Sequence, residues 1–312
     1  MPRVRRAMSL KASITVCLAG LVAGVGCAQD LAPRAYLITP TGSNAVILSY
    51  SFLDGSVFTD PALPIQDFKA RHHAEVLSYY HAFSFFGRSA NVTGSLPYAL
   101  GNFRAIVASA ENHLYRSGLA DARVRFAVNL KGGPAMSLTE YLDWHEETVL
   151  GASLTVVAPT GQYDPARVIN PSIHRWAFKS ELGISHRWQS VWALDLYAGA
   201  WFFTPNNQYY PGTYIRNQQP IAVGEGHLTY YVKPRFWASL DGNFWAAGRS
   251  TVNGIDKADY QRNSRVGATI TIPLNEHQTL KFSFSRGVYI SIGGDYQNIS
   301  AGWGYSWIRG PG

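Results

Sequence analysis

Histidines and carboxylates are the side chains of this chain most able to catalyse a reaction or bind a metal. The chain has nine histidines, and the arrangement closest to a metal motif is His145-Glu146-Glu147, which lacks the second histidine of an H-E-x-x-H zinc site. No G-x-S-x-G nucleophile elbow is present. Both cysteines, Cys17 and Cys27, fall within the first 28 residues, so a mature chain has no thiolate site. We therefore predict no catalytic residue, no metal site and no cofactor.

The first 28 residues have the organisation of a secretory signal peptide. An apolar run from Ile14 to Val25 ends in Gly26-Cys27-Ala28, a small-residue cleavage site, and it is shorter than the ~20 residues of a membrane helix. Cleavage after Ala28 is expected to leave residues 29–312 as one barrel domain. The formal charge falls from +7 to +3 with the basic residues of the segment, which does not point to nucleic acid. Those four residues are Arg3, Arg5, Arg6 and Lys11.

The charged side chains of the mature chain follow extended segments in which polar and apolar residues alternate. In the clearest segment, Val191 to Phe203, Asp195, Tyr197 and Gly199 share one face. Arg265 to Ile272 repeats the pattern. Segments of about ten residues with this period are typical of tilted transmembrane strands. The opposite, apolar face of the clearest segment consists of Trp192, Leu194, Leu196, Ala198, Ala200 and Phe202.

Extended segments of this kind cover the whole mature chain. Each backbone N–H or C=O left unpaired in lipid costs several kcal/mol, so a sheet that enters a bilayer has to close on itself. We predict an all-β fold, a transmembrane antiparallel up-and-down β-barrel of about 12 strands. The candidate strands lie near residues 44–53, 72–85, 89–98, 122–131, 146–158, 174–187, 190–204, 219–232, 235–248, 260–273, 277–289 and 296–308.

Short and long connections alternate along the chain, as the periplasmic turns and external loops of outer-membrane barrels do. Gly132 to His145 is an exception, because it is long although it falls on the periplasmic side. Its apolar spacing predicts a short amphipathic helix. The short connections are near residues 86–88, 188–189, 233–234 and 274–276. The long connections, expected to be external loops, are 53–71, 99–121, 159–173, 205–218 and 249–259.

A soluble β-sandwich is the competing interpretation, because it also has many alternating strands. The candidate strands are longer than the ~5–6 residues typical of soluble sheets. Charged residues make up 15% of the chain, against roughly 25% in soluble domains. Aromatic residues near the strand ends also suit the two interfacial girdles of a membrane barrel. The expected girdle residues are Tyr50, Phe52, Trp176, Trp188, Trp201, Phe203, Trp237, Trp245, Trp303 and Trp307.

Charges on the faces opposite the apolar stripes are expected to point into the barrel lumen. An arginine or lysine that faced lipid at the bilayer midplane would cost roughly 2–4 kcal/mol. Pairing across a filled interior and lining of a permeation path both remain open, with pairing the commoner outcome. The lumen and permeation candidates are Arg123, Arg125, Glu147, Lys179, Glu181, Asp195, Glu225, His227, Asp241, Arg265 and Lys281.

The connection from Thr160 to Arg175 carries several residues able to line a constriction. Folding into the lumen would place them over a path, whereas exposure to solvent is the commoner outcome for a loop and is the one we expect. The loop candidates are Tyr163, Asp164, Arg167 and Arg175.

Several segments of the mature chain are distinctive when taken together. They are VVAPTGQYDPARVINPSIHRWAFKSELGISHRW (Val156 to Trp188), LDLYAGAWFFTPNNQY (Leu194 to Tyr209), GHLTYYVKPRFWASLDGNFWAAGRSTVNG (Gly226 to Gly254), and NSRVGATITIPL with FSRGVYISIGGDY (within Asn263 to Tyr296). These segments resemble the MetA-pathway of phenol degradation family of outer-membrane transporters. The resemblance covers essentially the mature chain. It implies a barrel associated with uptake of aromatic or other small organic compounds, and it maps no binding residue onto this sequence.

The sequence therefore predicts a channel or transporter for small organic compounds in the outer membrane of a Gram-negative bacterium. Its expected partners are that solute, outer-membrane lipids and the barrel-assembly machinery. Two other classes stay open. One is a barrel enzyme acting on lipids, because a Ser–His pair between strands is spatial and not visible in sequence. The other is a structural or adhesive barrel without transport.

Overall fold

Twelve strand positions close into a barrel in the computed structural model, which describes residues 31–58, 65–107 and 110–308. The strands are antiparallel, and the first pairs with the last, so the ring is complete. The predicted signal peptide lies outside the described residues. In chain order the strands are β1 (Ser43–Phe58), β2 (Ile65–Phe85), β3 (Arg88–Val107), β4 (Ala110–Leu119), β5 (Arg123–Lys131), β6 (Thr148–Val157), β7 (Ala177–Trp188), β8 (Trp192–Phe203), β9 (Asn206–Tyr209), β10 (Tyr214–Gln218), β11 (Ile221–Lys233), β12 (Phe236–Ala247), β13 (Ser250–Val252), β14 (Ile255–Asp256), β15 (Gln261–Pro273), β16 (Gln278–Ile290) and β17 (Gly293–Ile308).

Two groups of strands depart from a simple ring. β4 and β5 together fill one strand position beside β3. β4 pairs with residues 98–107 of β3, and β5 pairs with residues 90–95. β9, β10, β13 and β14 form a separate four-stranded sheet within the long connections. The other strands, with β4 and β5 counted as one position, make up the predicted twelve, and each predicted segment corresponds to one of them. The prediction of an antiparallel up-and-down barrel is confirmed.

The period-two pattern decides which way each side chain points. In β8, Leu196 is 50% exposed on the outer surface, whereas the neighbouring Asp195 is completely buried inside. β15 repeats this arrangement, with Val266 outside and Arg265 inside. The outer surface therefore presents apolar side chains to lipid and keeps charges in the lumen, as the cost of a lipid-facing charge requires.

Two of the expected external loops are largely strand. β1 and β2 remain paired as far as Ser56 and Lys69, and β3 and β4 pair along the whole of Ala110–Leu119. The expectation of loops at 53–71 and 99–121 was therefore wrong over most of its length. Paired strands satisfy their own backbone groups beyond the bilayer, where no lipid-facing apolar pattern is needed to mark them. Short turns at one end of the barrel are confirmed at residues 86–87, 189–191, 234–235 and 274–277, and the assignment of this end to the periplasm stays a prediction.

The expected aromatic girdle is only partly present. Trp201, Trp237 and Trp245 are 3%, 7% and 1% exposed and lie inside the barrel. Phe203 packs against the cluster that contains Trp201 and Trp245, whereas Trp237 belongs to a separate cluster. All four residues have odd numbers, and the odd-numbered side chains of β8 and β12 point into the barrel. Being near a strand end was therefore not enough to place an aromatic residue in the girdle. Tyr50 and Trp176 are exposed on the outside, as expected.

The long periplasmic connection contains the predicted helix, α1 (Leu138–Asp143). Ser137 caps the N-terminus of this helix. Its hydroxyl oxygen accepts a hydrogen bond from the Glu140 amide, and the Glu140 carboxylate accepts one from the Ser137 amide. Leu142 on this helix is exposed, whereas Tyr141 and Trp144 pack towards the barrel mouth. Among the described residues, no helix has the length and apolar character of a membrane span.

Candidate functional site

The lumen is crossed by the chain that precedes β1. Residues 31–42 lie in the lumen and lead into the periplasmic end of β1. They contact the inward faces of several distant strands. Thr39 bonds to Tyr80 of β2 at 2.7 Å, and Ile38 packs on Val149 of β6. Leu31 lies beside Gly267 of β15. We call residues 31–42 the lumenal segment. The lumen is therefore partly filled, which the sequence pattern did not indicate.

Arg34 is the electrostatic anchor of the lumenal segment. Its guanidinium donates to Ser185 Oγ at 2.6 Å, to Asp195 Oδ1 at 2.9 Å and to Glu146 Oε1. Its backbone amide also donates to Asp195 Oδ2. Burial works against the charged form, yet the carboxylates of Glu146 and Asp195 raise the pKa of Arg34 above its ordinary value. The guanidinium therefore stays charged and ties the segment to β7 and β8.

Tyr36 fills a pocket formed by two glycines. A Cβ atom on Gly151 would lie 2.2 Å from the Tyr36 ring, and one on Gly183 would lie 2.3 Å from it, so an alanine at either site would displace the ring. The Tyr36 hydroxyl lies 3.0 Å from Glu181 Oε1 and 3.1 Å from Ser153 Oγ. The paired glycines on β6 and β7 are thus a sequence signal for an inserted side chain.

The connection between β5 and β6 holds the lumenal segment from the periplasmic side. The amide of Thr41 donates to the carbonyl of Met136 at 2.8 Å. Ile38 packs against Met136, with Tyr141 and Trp144 at the edge of the same cluster. Glu146, at the end of this connection, accepts from Arg34. The long connection therefore acts as a clamp on the segment.

Five of the eleven predicted lumenal charges form one buried network on the wall made by β7, β8, β11 and β12. Lys179 Nζ lies 2.5 Å from Glu181 and 2.9 Å from Glu225. His227 lies between Glu225, at 3.5 Å, and Asp241, at 2.9 Å. Asp241 also accepts from Ser239 and from Thr269. These acids therefore have hydrogen-bonding partners, and they join neighbouring strands from inside.

The remaining candidates occupy different surroundings. Arg125 stacks on Tyr36, with its guanidinium carbon 5.0 Å from the ring centroid. Arg123 and Arg265 line one lumenal cavity and Lys281 lines another. Glu147 is exposed outside β6, because the alternation breaks before Thr148 and it is the neighbouring Glu146 that enters the lumen. The structure thus separates the cluster of Lys179 and Glu181 from Arg265 and Lys281.

The connection from β6 to β7 folds over the external mouth of the lumen, contrary to the exposed loop that we expected. Asp121, at the break between β4 and β5, accepts from the Ser172 hydroxyl at 2.6 Å and from the Ile173 amide at 2.9 Å. Ile169 is 5% exposed and packs in a core cluster with Phe103. A buried acid thus draws the loop inward, and this partner lies too far along the chain for local sequence to reveal it.

The four loop candidates differ in position. The rings of Tyr163 and His174 stack with centroids 4.2 Å apart. Arg175 is buried and covers the ring of Phe203 at 4.4 Å. Asp164 and Arg167 pair with each other at 2.7 Å in an exposed turn. Only Arg175 therefore reaches the interior.

The described part of the chain encloses two sizeable cavities in the lumen beside the lumenal segment. The outer cavity, of about 490 Å³, lies under the folded loop and includes Pro97, Phe103 and Ile173 in its lining. The inner cavity, of about 590 Å³, lies on the β15 to β17 and β1 wall. Ser49, Ser51 and Asn298 line both, so the two meet inside the barrel. The hydroxyls of the inner cavity include those of Thr269, Thr271, Thr279, Ser283, Ser285, Ser300 and Ser306.

The fold and its interior define a membrane β-barrel whose lumen is narrowed by a lumenal segment and by an infolded external loop. The model of the MetA-pathway of phenol degradation family matches residues 64–310. That match covers most of the chain, and the chain belongs to this family. No curated protein sequence matches it.

Solved structures with the same fold include membrane channels and translocation domains. The outer membrane channel from Pseudomonas putida F1 is similar at a TM-score of 0.73 and 15% identity, over 89% of this chain and 100% of that one. The transport unit of the autotransporter AIDA-I from Escherichia coli is similar at a TM-score of 0.52 and 11% identity, over 96% and 98%. At such identities the likeness shows the fold alone.

Proposed function

We propose that this protein is an outer-membrane channel for small organic compounds. The observation that carries the proposal is the pair of cavities that meet at Ser49, Ser51 and Asn298 inside a closed barrel. A barrel of twelve strands is wider than the eight-stranded barrels that side chains fill. Its width, together with the continuity of the two cavities, favours passage of solutes.

The chemistry of the two cavities supports small, partly apolar solutes. The outer cavity combines the rings of His72 and Phe103 with Leu53 and Pro97, which suits an aromatic or aliphatic group. The inner cavity offers serine and threonine hydroxyls that can replace water around polar groups. Uptake of aromatic compounds, which family membership suggests, fits this order of surfaces from outside to inside.

The buried acids and histidine support a structural role in place of catalysis. His227 is fully buried between Glu225 and Asp241, with Ser239 bonded to the same aspartate oxygen as the histidine. No cavity described above includes His227 in its lining. A lipid substrate would have no route to this group, so we favour the channel over a barrel enzyme.

Solute flux through the reconstituted barrel tests the proposal. The full chain is refolded into lipid vesicles that contain a small aromatic solute. Release of the solute is compared with its release from vesicles that contain no protein. A heat-modifiability gel on the same sample shows that the barrel has folded. We expect release of the small solute and retention of a dextran. A folded barrel without solute release and without single-channel current would refute the channel.

A further inference from the structure

We propose that the outer surface of the barrel binds the phosphate groups of lipid A, the phosphorylated glycolipid of the outer leaflet, at Arg262 and Arg286. These arginines lie on the neighbouring strands β15 and β16, towards the end of the barrel that is opposite the short turns and that we expect to be external. The inference goes beyond the proposed channel function, because it concerns the face of the barrel that contacts lipid and no part of the lumen.

The pairing of β15 with β16 places both arginines on the lipid-facing surface. Arg286 is directly opposite Val266, which is 48% exposed on the outside. Arg262 is four residues from Val266 along β15, so the alternation of side chains gives it the same outward direction. Both arginines are exposed. The two guanidinium groups therefore share one face, and their strand positions are about 13 Å apart along the strand direction.

Aromatic side chains surround the two arginines on this face. Phe282 and Phe284 precede Arg286 on the outer face of β16 and are 42% and 43% exposed. Tyr289 is 57% exposed and lies opposite Ser264, between the levels of the two arginines. Aromatic residues of this kind mark the boundary between hydrocarbon and head groups in membrane barrels. The arginines thus lie within reach of lipid head groups.

No carboxylate within residues 31–58, 65–107 and 110–308 neutralises the two arginines. Neither guanidinium forms an ion pair or a hydrogen bond in this part of the chain. β15 and β16 contain no acidic residue. Asp295 of β17 approaches β16 at Gly287, where its Oδ1 atom would lie 2.1 Å from an added Cβ, and it pairs with neither arginine. The counterion of this surface therefore comes from outside the described chain.

Exposed arginines on β2 and β3 provide a contrast. Arg71 pairs with Asp54 at 3.4 Å, and Arg104 pairs with Asp67 at 3.1 Å. The chain thus supplies acids for outward arginines in one region and none in the other. An arginine that faces lipid is costly unless an anion accompanies it. This difference favours an anion supplied by the membrane at β15 and β16.

Phosphate is the membrane anion that best fits these side chains. A guanidinium donates two parallel hydrogen bonds to a phosphate, and such charge-assisted bonds are stronger than bonds between neutral groups. Lipid A carries one phosphate at each end of its sugar head group, with acyl chains beneath. Two separate arginines can each bind one phosphate while the acyl chains pack on Phe282, Phe284 and Val266. A phospholipid, with a single phosphate, would engage only one arginine.

Lipid binding to the folded barrel tests the proposal without any measurement of flux. The full chain is refolded in detergent micelles, its folding is checked by heat modifiability, and lipid A is titrated at constant salt. Native mass spectrometry gives the fraction of barrels that carry a lipid, and hence the Kd. Dephosphorylated lipid A and phosphatidylglycerol are titrated in the same way. We expect lipid A to bind about 25-fold more tightly than its dephosphorylated form and about fivefold more tightly than phosphatidylglycerol, since each arginine near a membrane anion contributes about fivefold.

Neutralised variants connect this affinity to the two arginines. Arg262→Gln and Arg286→Gln should each weaken lipid A binding about fivefold, and the double variant about 25-fold. Arg286→Lys keeps the charge without the two-pronged geometry and should bind with an affinity between those of the wild type and Arg286→Gln. Arg71→Gln is the matched control, because it removes an exposed arginine whose partner Asp54 lies in the chain, and it should bind lipid A like the wild type.

Two results would overturn the inference. One is an equal Kd for lipid A in the wild type and in both Gln variants. The other is binding of dephosphorylated lipid A or of phosphatidylglycerol as tight as that of lipid A, because the two phosphates would then not be what the surface recognises. The titrations need only a folded barrel, so their failure leaves the channel proposal standing, and a barrel without flux leaves this inference standing.

Discussion

Replacing Arg34 with alanine should release the lumenal segment and widen the path. Truncation leaves Asp195 and Glu146 buried without their guanidinium, and removing one partner of a buried ion pair costs about 3–5 kcal/mol. Arg187, at 3.8 Å from Glu146, and the bond from Ser185 to Asp195 compensate in part. We therefore take the free-energy cost of the substitution as about 3 kcal/mol. This cost shifts the equilibrium between the lumenal segment bound in the lumen and the segment released from it by roughly a hundredfold towards release.

The size of the conductance change follows from the barrel geometry. Twelve strands about 4.8 Å apart and tilted by about 40° give a circumference of ~75 Å and a backbone radius of ~12 Å. A side-chain layer of about 5 Å leaves an interior of ~150 Å², of which an extended chain of about 4.8 by 10 Å occupies ~50 Å². Release of residues 31–42 should therefore raise single-channel conductance about 1.5-fold.

Single-channel recording in symmetric KCl measures this change. Gly183→Ala is an independent variant, because its new Cβ would meet the Tyr36 ring and unseat the same segment without removing a charge. Arg88→Ala, at an exposed periplasmic turn, is the control and should conduct like the wild type. If Arg34→Ala and Gly183→Ala both fold and both conduct at the wild-type level, the segment does not limit the path and the reasoning is refuted.

Three further predictions concern folding and the two closures of the lumen. Leu196→Arg places a charge in lipid and should destabilise the folded barrel by about 2–4 kcal/mol in urea titrations, whereas Leu196→Ala should have a much smaller effect; equal effects would mean that the face is misassigned. Asp121→Ala removes the acceptor for Ser172 and Ile173 and should increase proteolysis of the 159–176 loop in whole vesicles; unchanged protection would mean that other contacts hold the loop. Ser137→Ala should lower the stability of α1 by about 0.5–2 kcal/mol and raise hydrogen exchange there, and unaltered exchange would contradict the capping role.

The barrel itself could be predicted because its physical cause is local. Lipid contact imposes an apolar side chain at every second position, and β8 and β15 display this pattern over their whole length. The short turns and α1 were also visible, because turn length and apolar spacing need only neighbouring residues. The strand extensions of β1 to β4 were not visible, because outside the bilayer nothing requires that pattern.

The contents of the lumen could be predicted only in part. Inward-facing charges such as Asp195 and Arg265 were identified from the alternation of side chains along their strands. That alternation does not indicate which inward-facing groups bond to each other. The partners Arg34 and Asp195 are 161 residues apart, and Asp121 and Ser172 are 51 apart, so their contacts depend on the closed fold. Arg34 lay outside every predicted strand and was therefore missed.

The contrast between the cross-linked wall of β7, β8, β11 and β12 and the hydroxyl-lined wall of β16 and β17 has a consequence for how such proteins diversify. Replacements among the cross-linked groups of β7 to β12, such as Lys179 or Asp241, leave a buried charge without its counterion and threaten assembly. Replacements among the small hydroxyl residues of β16 and β17 leave no buried charge without its counterion, although they remove hydrogen bonds such as the one between Ser283 and Ser300, and they alter the surface that a passing molecule touches. Paralogues adapted to new nutrients are therefore expected to vary at the hydroxyl residues of β16 and β17 and to retain the cross-linked charged residues of the other wall.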